Sequence, residues 1–315
     1  MLRSVSCFLL AALLPVAHAA TESSQPEPIK RVIYVTLDGV RWQDVFIDRV
    51  YFSKLWKRAD KGKFYGAPDS HSTMEVASIP ISLPSYQSQM AGAVQPCDGN
   101  GCGRIQVETL GENILHKLAL SKKDVAVFSS WSQVYLSFEH IAGATYTNSG
   151  NVPVLDPETQ KSDNVMADLN EKQKSDHPAG ADRFDKYTFA QSLHYLEKFQ
   201  PRFMWISLGD ADTQAHHNNL AGYHTALMAY DDYLDTLFTT LARLHIDKET
   251  LVILTTDHGR GNGIDWTSHG PSYPESKQTW GFAMNGELKP VAQDGDFARY
   301  STLSIRPTIE AALGV

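Results

Sequence analysis

Apolar, strand-like runs alternate along this chain with helical patterns, and that order constrains its fold more than any other feature. "RVIYVTL" (31–37), "DVAVFSS" (124–130), "RFMWISL" (202–208) and "TLVILTT" (250–256) read as strands, and "TMEVASIP" (73–80) can form another. Helical patterns fall between them: a region at about 50–62, then "ISLPSYQSQMAG" (81–92), "TLGENILHKLAL" (109–120) and "RFDKYTFAQSLHYLEKF" (183–199). A long helix follows at about 219–245, and a short one after Pro307 closes the chain. Pro84 suits the first turn of its helix and Gly92 the stop. In the long helix Tyr223, Leu227, Tyr230, Leu234, Leu237, Leu241 and Leu244 recur every three or four residues, so both tyrosines read as packing residues. The order predicts an α/β fold, a mostly parallel central sheet with helices on both faces. Residues 147–183, polar and rich in Asn, Asp, Lys, Pro and Gly, read as a small inserted cap or long loop. Ligands of such sheets sit beyond the carboxyl ends of the strands. There the sequence places Asp38 after one strand, "GDADTQAHH" (209–217) after another and Asp257-His258 after a third, with Ser82 in the strand-to-helix turn of a fourth.

The segment "MLRSVSCFLLAALLPVAHA" (1–19) has a basic start, an apolar centre and an A-x-A ending. It reads as a signal peptide cleaved near Ala19, which makes the expected location periplasmic or secreted. Its apolar centre is too short to span a bilayer, and no other long uncharged apolar run exists, so no transmembrane segment is expected. "TESSQPEPIK" (21–30) is a linker, and residues 30–315 suffice for one large α/β domain. A net charge of −8 argues against nonspecific nucleic-acid or anionic-membrane binding, and no nucleic-acid-binding domain is expected. The charge leaves an anionic substrate open, because bound metal ions reverse the local field. In "QPCDGNGCG" (95–103) an oxidising compartment favours a Cys97–Cys102 disulfide around a tight turn, two free thiols being the other reading.

Asp212 and His216 are four residues apart, so one helical turn can aim both at one point, whereas the adjacent Asp257 and His258 diverge and can serve two neighbouring ions. Each half is weak alone, but their order and spacing together are specific. The series runs from an Asp at the first strand end through a hydroxyl on a strand-to-helix turn, D-x-x-x-H, D-H and one further His. It resembles the alkaline phosphatase superfamily, and within it the nucleotide pyrophosphatase/phosphodiesterase branch. "VIYVTLDGVRWQ" (32–43) is similar to that family's opening metal motif and "ISLPSYQSQMAG" to its nucleophile motif. "SIRPT" (304–308) resembles the "DIAPT" found near family C-termini. The resemblance covers most of residues 31–315 and leaves 147–183 unmatched.

The resemblance implies one divalent ion, zinc by preference, on Asp38, Ser82, Asp257 and His258, and a second on Asp212, His216 and His269. His269 is the only histidine after His258, and the short gap between them suggests a trimmed loop. Ser82 is then the nucleophile in hydrolysis of a small phosphate ester through a phosphoserine, with N–H donors of its helix cradling phosphate. Ser85 faces another side of the turn. Asp210 lacks the four-residue spacing to His216, and His217 reads as a neighbour rather than a ligand. Arg41, Arg104, Arg260 and Asn262 could each touch phosphate, and the sequence does not choose among them. Phosphodiesters or nucleotide pyrophosphates are the leading substrates and monoesters the alternative. A sulfatase is disfavoured because Tyr86 replaces the Arg of its pattern in "SLPSY" (82–86), and a non-catalytic binding protein because every ligand position is filled.

Overall fold

The computed structural model describes residues 28–68, 70–285, 292–294 and 297–315; the leader expected at 1–19 lies outside them. The strands are β1 (Arg31–Leu37), β2 (Gly62–Tyr65), β3 (Ser72–Glu75), β4 (Val125–Ser129), β5 (Tyr146–Ser149) and β6 (Phe203–Leu208). They continue with β7 (Thr250–Thr255), β8 (Gln278–Thr279), β9 (Gly281–Met284), β10 (Ala292–Asp294) and β11 (Phe297–Ser301). Seven form the main sheet in the order β2–β9–β7–β1–β6–β4–β5. The run from β7 to β5 is parallel, while β9 lies antiparallel to both β7 and β2. A smaller sheet has the order β10–β11–β3–β8.

Every residue of β1 is buried, as a strand covered on both faces requires. Ile33, Val35 and Leu37 join a core built with the helices Asp185–Phe199 and Leu220–Arg243. Val32 and Tyr34 face the opposite core, with Tyr86 and Met90 of the helix Ser82–Ala91, Leu110 and Ile114 of Leu110–Lys117, and Ile305 and Ile309 of Ile305–Leu313. Both faces are therefore helical, as expected. Gly92 ends the Ser82–Ala91 helix in the left-handed conformation (φ 69°), and Thr109 caps the next helix through a reciprocal bond with Glu112.

Two expectations about local structure change. The segment 147–183 is not wholly an excursion, because Tyr146–Ser149 is the edge strand of the main sheet, parallel to β4. Its polar sequence hid it: buried Asn148 is bonded to Arg183 rather than packed on an apolar partner. A helix, Asn164–Ser175, follows within the segment. Ser82, in turn, does not follow a strand of the main sheet. The preceding strand β3 ends at Glu75 in the small sheet, and the Ser82–Ala91 helix is brought to the site by packing across the second core.

Trp205, in the middle of β6, is fully buried against Tyr34, Tyr86 and Phe138, and its indole N–H donates to Thr36 Oγ1 at 2.9 Å. Trp205→Ala should cost about 3–5 kcal/mol of unfolding free energy in urea denaturation. A loss under about 1 kcal/mol would show that this core is not the one holding the helix to the sheet.

Candidate active site

Parallel pairing puts the ends of β1, β6 and β7 at one edge. Leu37 is level with Leu208 and Thr36 with Thr255, and the Asp38 N–H bonds the Leu208 carbonyl at 2.9 Å. The residues just beyond these ends form two groups, Asp38–Asp257–His258 and Asp212–His216–His269, in each of which one ligand atom per residue lies within 4.8 Å of the others.

The first group is deeply buried, with Asp257 and His258 0% and Asp38 5% exposed. His258 turns Nδ1 to the Gly259 carbonyl at 2.9 Å, which places the ring proton there and leaves the Nε2 lone pair inward. That nitrogen lies 3.3 Å from Asp257 Oδ2, 3.6 Å from Asp38 Oδ1 and 3.5 Å from Ser82 Oγ. The outer oxygen of each carboxylate is held, Asp38 Oδ2 by the Tyr86 hydroxyl at 3.0 Å and Asp257 Oδ1 by the Gly39 N–H at 3.1 Å. The inner oxygens, Asp38 Oδ1 and Asp257 Oδ2, are buried without a hydrogen-bond partner. Orphaned acceptors beside an imidazole lone pair and a serine hydroxyl form a donor set that could hold a divalent cation.

The second group is more open. His269 turns Nδ1 to the Pro80 carbonyl at 2.9 Å and presents Nε2 to His216 Nε2 at 3.2 Å, while Asp212 Oδ2 lies 3.1 Å from the same His216 nitrogen. The His258 and His269 rings stack at 3.9 Å, so the groups adjoin. Asp212 and His216 project from one helix, Asp210–His216, as their spacing predicts. The start of that helix is held by Asp185, which accepts the N–H groups of Gly209 (2.8 Å) and Asp210 (2.6 Å) and the Tyr230 hydroxyl (2.7 Å). Tyr230 thus packs as expected and also orients the helix that carries Asp212 and His216. Burial and the neighbouring Asp185 push the Asp210 carboxyl up; its Oδ2 accepts the Asp185 N–H at 3.3 Å, and it belongs to neither Asp/His group.

Ser82 opens its helix at 5% exposure; Ile81 is the N-cap, so the serine hydroxyl is not spent on capping. Phosphate cradling by this helix is narrower than expected. The Leu83 N–H is taken by Asn100 Oδ1 at 2.9 Å, Pro84 has none, and the Ser85 N–H bonds the Ile81 carbonyl. Nor is Ser85 a bystander, since its hydroxyl donates to the Asp257 carbonyl at 2.6 Å. Asn100 rides on the loop closed by the Cys97–Cys102 disulfide (Cα–Cα 5.7 Å). Asn100 joins Asp38, Ser82, Trp131, Asp182 and Asp212 in lining a cavity of about 380 Å³. Nothing local in "CDGNGC" announces this role, which depends on the loop reaching a helix start in the folded chain. None of the four residues proposed for phosphate lines this cavity. Arg41 is paired with Asp44, Arg104 bonds the carbonyls of Tyr135 and Glu139, Asn262 accepts from Gln43, and Arg260 is buried on Asp212.

Burial, reinforced for Asp38 by Asp257, raises both carboxyls of the first group to about 7. Burial lowers His258 below the usual imidazole range; burial and His258 do the same to His269. Without metal the folded chain holds the two carboxyl protons to higher pH than the unfolded chain does. These groups therefore favour the fold at low pH, and that contribution is lost as pH rises from the ordinary carboxyl range through about 7. A cation must displace the same protons, whereas the imidazole of His258, kept neutral by burial, releases none. Calorimetric zinc titrations in buffers of different ionisation enthalpy should therefore show more protons released at pH 6 than at pH 8. Equal release at both would contradict carboxylate ligation at this site.

The family of Type I phosphodiesterase / nucleotide pyrophosphatase matches residues 122–267, a span that includes Asp212, His216, Asp257 and His258 and runs through 147–183. No curated protein matches the chain significantly. Among solved structures it is similar to a TAB5 alkaline phosphatase mutant, 14% identical with a TM-score of 0.55 over 92% of this chain and 99% of that one. It is also similar to a 2-O GAG sulfatase (13%, TM-score 0.60, 91% and 71% covered). A third is the lipoteichoic acid synthase LtaP from Listeria monocytogenes (12%, TM-score 0.57, 91% and 72% covered). Taken with the seven-stranded sheet, these findings show an alkaline phosphatase-like fold, and over residues 122–267 the chain is similar in sequence to the Type I phosphodiesterase / nucleotide pyrophosphatase family.

Proposed function

We propose that this chain is an exported two-metal phosphoesterase that hydrolyses phosphodiesters or nucleotide pyrophosphates through a covalent intermediate on Ser82. The family and fold support a hydrolase of this superfamily; substrate, metals and location are the proposal. One observation carries it: the Ser82 hydroxyl, 3.5 Å from His258 Nε2, stands beside two adjoining Asp/His groups, and in the first of them two buried carboxylate oxygens, Asp38 Oδ1 and Asp257 Oδ2, lack partners.

Two divalent ions, zinc by the mixed Asp/His donors, would sit on Asp38–Ser82–Asp257–His258 and Asp212–His216–His269, and when bound supply the Lewis acidity that ionises the serine and offsets phosphoryl charge. Ser82 Oγ attacks phosphorus in line and the ester oxygen leaves, after which water cleaves the phosphoserine and restores the hydroxyl. Asn100, its Oδ1 fixed by the Leu83 N–H, has amide donors for a non-bridging phosphate oxygen. Tyr86 and the Gly39 N–H keep the two buried carboxylates aimed inward.

The cavity supports diesters over monoesters. Among the described residues lining it, the only Lys or Arg is Arg183. Its guanidinium is taken by Thr188, Asn148, Gln191 and the Ser129 carbonyl, which leaves no arginine fork for a dianion. A volume of about 380 Å³ leaves room for a second ester group. Export would keep the Cys97–Cys102 bridge oxidised, and with it the loop that carries Asn100. Among the described residues no helix is long and apolar enough to cross a membrane.

Ser82→Ala should retain the fold and most zinc uptake yet lose turnover of bis-nitrophenyl phosphate by several orders of magnitude. Acid quenching with labelled substrate should leave phosphate on the peptide containing Ser82. Wild-type turnover in the variant, or label on Ser85, would overturn the nucleophile. A preference for nitrophenyl phosphate would move the assignment to a monoesterase, and one for nitrophenyl sulfate to a sulfatase.

A further inference from the structure

We propose that Arg260 is a positioning residue for the second ion, holding Asp212 so that one carboxylate oxygen stays turned to His216 and His269. The inference rests on the reading that Asp212, His216 and His269 bind an ion.

Arg260 is 1% exposed, and a buried guanidinium needs its charge and donors matched. Every partner it has belongs to a segment that carries an expected ligand. Nε donates to the Gly39 carbonyl at 3.1 Å, next to Asp38. Nη1 donates to the Thr267 carbonyl at 2.8 Å, two residues before His269. Nη2 bonds both the carbonyl and Oδ1 of Asp212, and Arg260 itself lies two residues after His258. One side chain therefore ties the ends of β1 and β7, the Asp210–His216 helix and the His269 loop into a fixed arrangement.

All three site carboxylates follow one rule, an outer oxygen held by the protein and an inner one turned to an imidazole. For Asp38 and Asp257 the holding groups are neutral, a tyrosine hydroxyl and a backbone N–H. For Asp212 the holder is a cation. The first group thus offers two carboxylates and one imidazole. The second offers two imidazoles and a single carboxylate whose charge is already paired. With less net attraction, the second ion depends more on ligand geometry, and a planar fork fixes that geometry where a lysine's single nitrogen does not. Gly39 is shaped to the same pair. It sits at φ +63°, and a Cβ there would lie 2.6 Å from Asp212 Oδ1 and 2.8 Å from Arg260 Nη2, so the pair closes only over a glycine.

The test is zinc titration of metal-free protein against a chromophoric chelator, for wild type, Arg260→Lys and Arg260→Met, with thermal melts and visible spectra of the cobalt-loaded forms. Wild type should bind two ions. Both variants should keep the first at wild-type affinity and bind the second roughly 10–100-fold more weakly, with altered cobalt bands for that ion alone. Tighter second-ion binding in Arg260→Met would show that the residue acts through charge only. Equal weakening of both ions together with a lower melting temperature would show a staple with no specific role toward Asp212. Either result overturns the inference. Should Arg260→Met fail to fold, Arg260→Lys decides, because it keeps the charge without the fork, and wild-type affinity there is equally fatal. Fewer than two ions in the wild type would instead bring down the two-metal reading, and this inference with it.

Discussion

Asp38 and Asp257 are negative groups placed almost entirely out of water, each with one oxygen that no protein donor reaches. An unpaired buried carboxylate is costly enough that it either takes up a proton or captures a cation. The raised pKa values near 7 describe the first outcome, and the inward-facing imidazole and hydroxyl prepare the second. Most other features of the site can be traced to keeping these carboxylates in place without satisfying them completely. Tyr86 and the Gly39 N–H each hold one oxygen and leave the other.

The fold supplies that arrangement at several levels. Parallel strands bring Asp38, Asp257 and the Asp210–His216 helix to one edge. Asp185 and Tyr230 fix the start of that helix from two others that share its core. The Ser82–Ala91 helix is pinned from within, since Ser85 binds the Asp257 carbonyl and Gln89 binds both Ser85 and the Tyr34 hydroxyl. The Ser82–Ala91 helix and its strand-end partners are therefore parts of one hydrogen-bonded block, although no main-sheet strand directly precedes that helix.

Much of this was legible in the sequence, for reasons that differ by element. The strands β1, β6 and β7 and the helix Leu220–Arg243 announce themselves because burial imposes an apolar run or a three-to-four repeat. The two Asp/His groups could be read because D-x-x-x-H and D-H fix local geometry, while the order of motifs resembles a known family. The short strands β2, β8, β9, β10 and β11 carry no comparable signal. Gly62–Tyr65 pairs with Gly281–Met284, more than two hundred residues away, and such pairing leaves no local period. The same holds for Asn100, Asp185 and Arg260, whose roles come from what the folded chain sets beside them. Arg260 was a candidate for touching substrate, yet burial turned it to Asp212, which no residue spacing could show.

The central claim is that two adjoining Asp/His groups hold two ions beside Ser82. Anomalous diffraction at the zinc edge from crystals of catalytically active protein tests it most directly. The account predicts two peaks, one enclosed by Asp38, Ser82, Asp257 and His258 and the other by Asp212, His216 and His269. A single peak, or peaks away from these side chains in crystals of active enzyme, would contradict it.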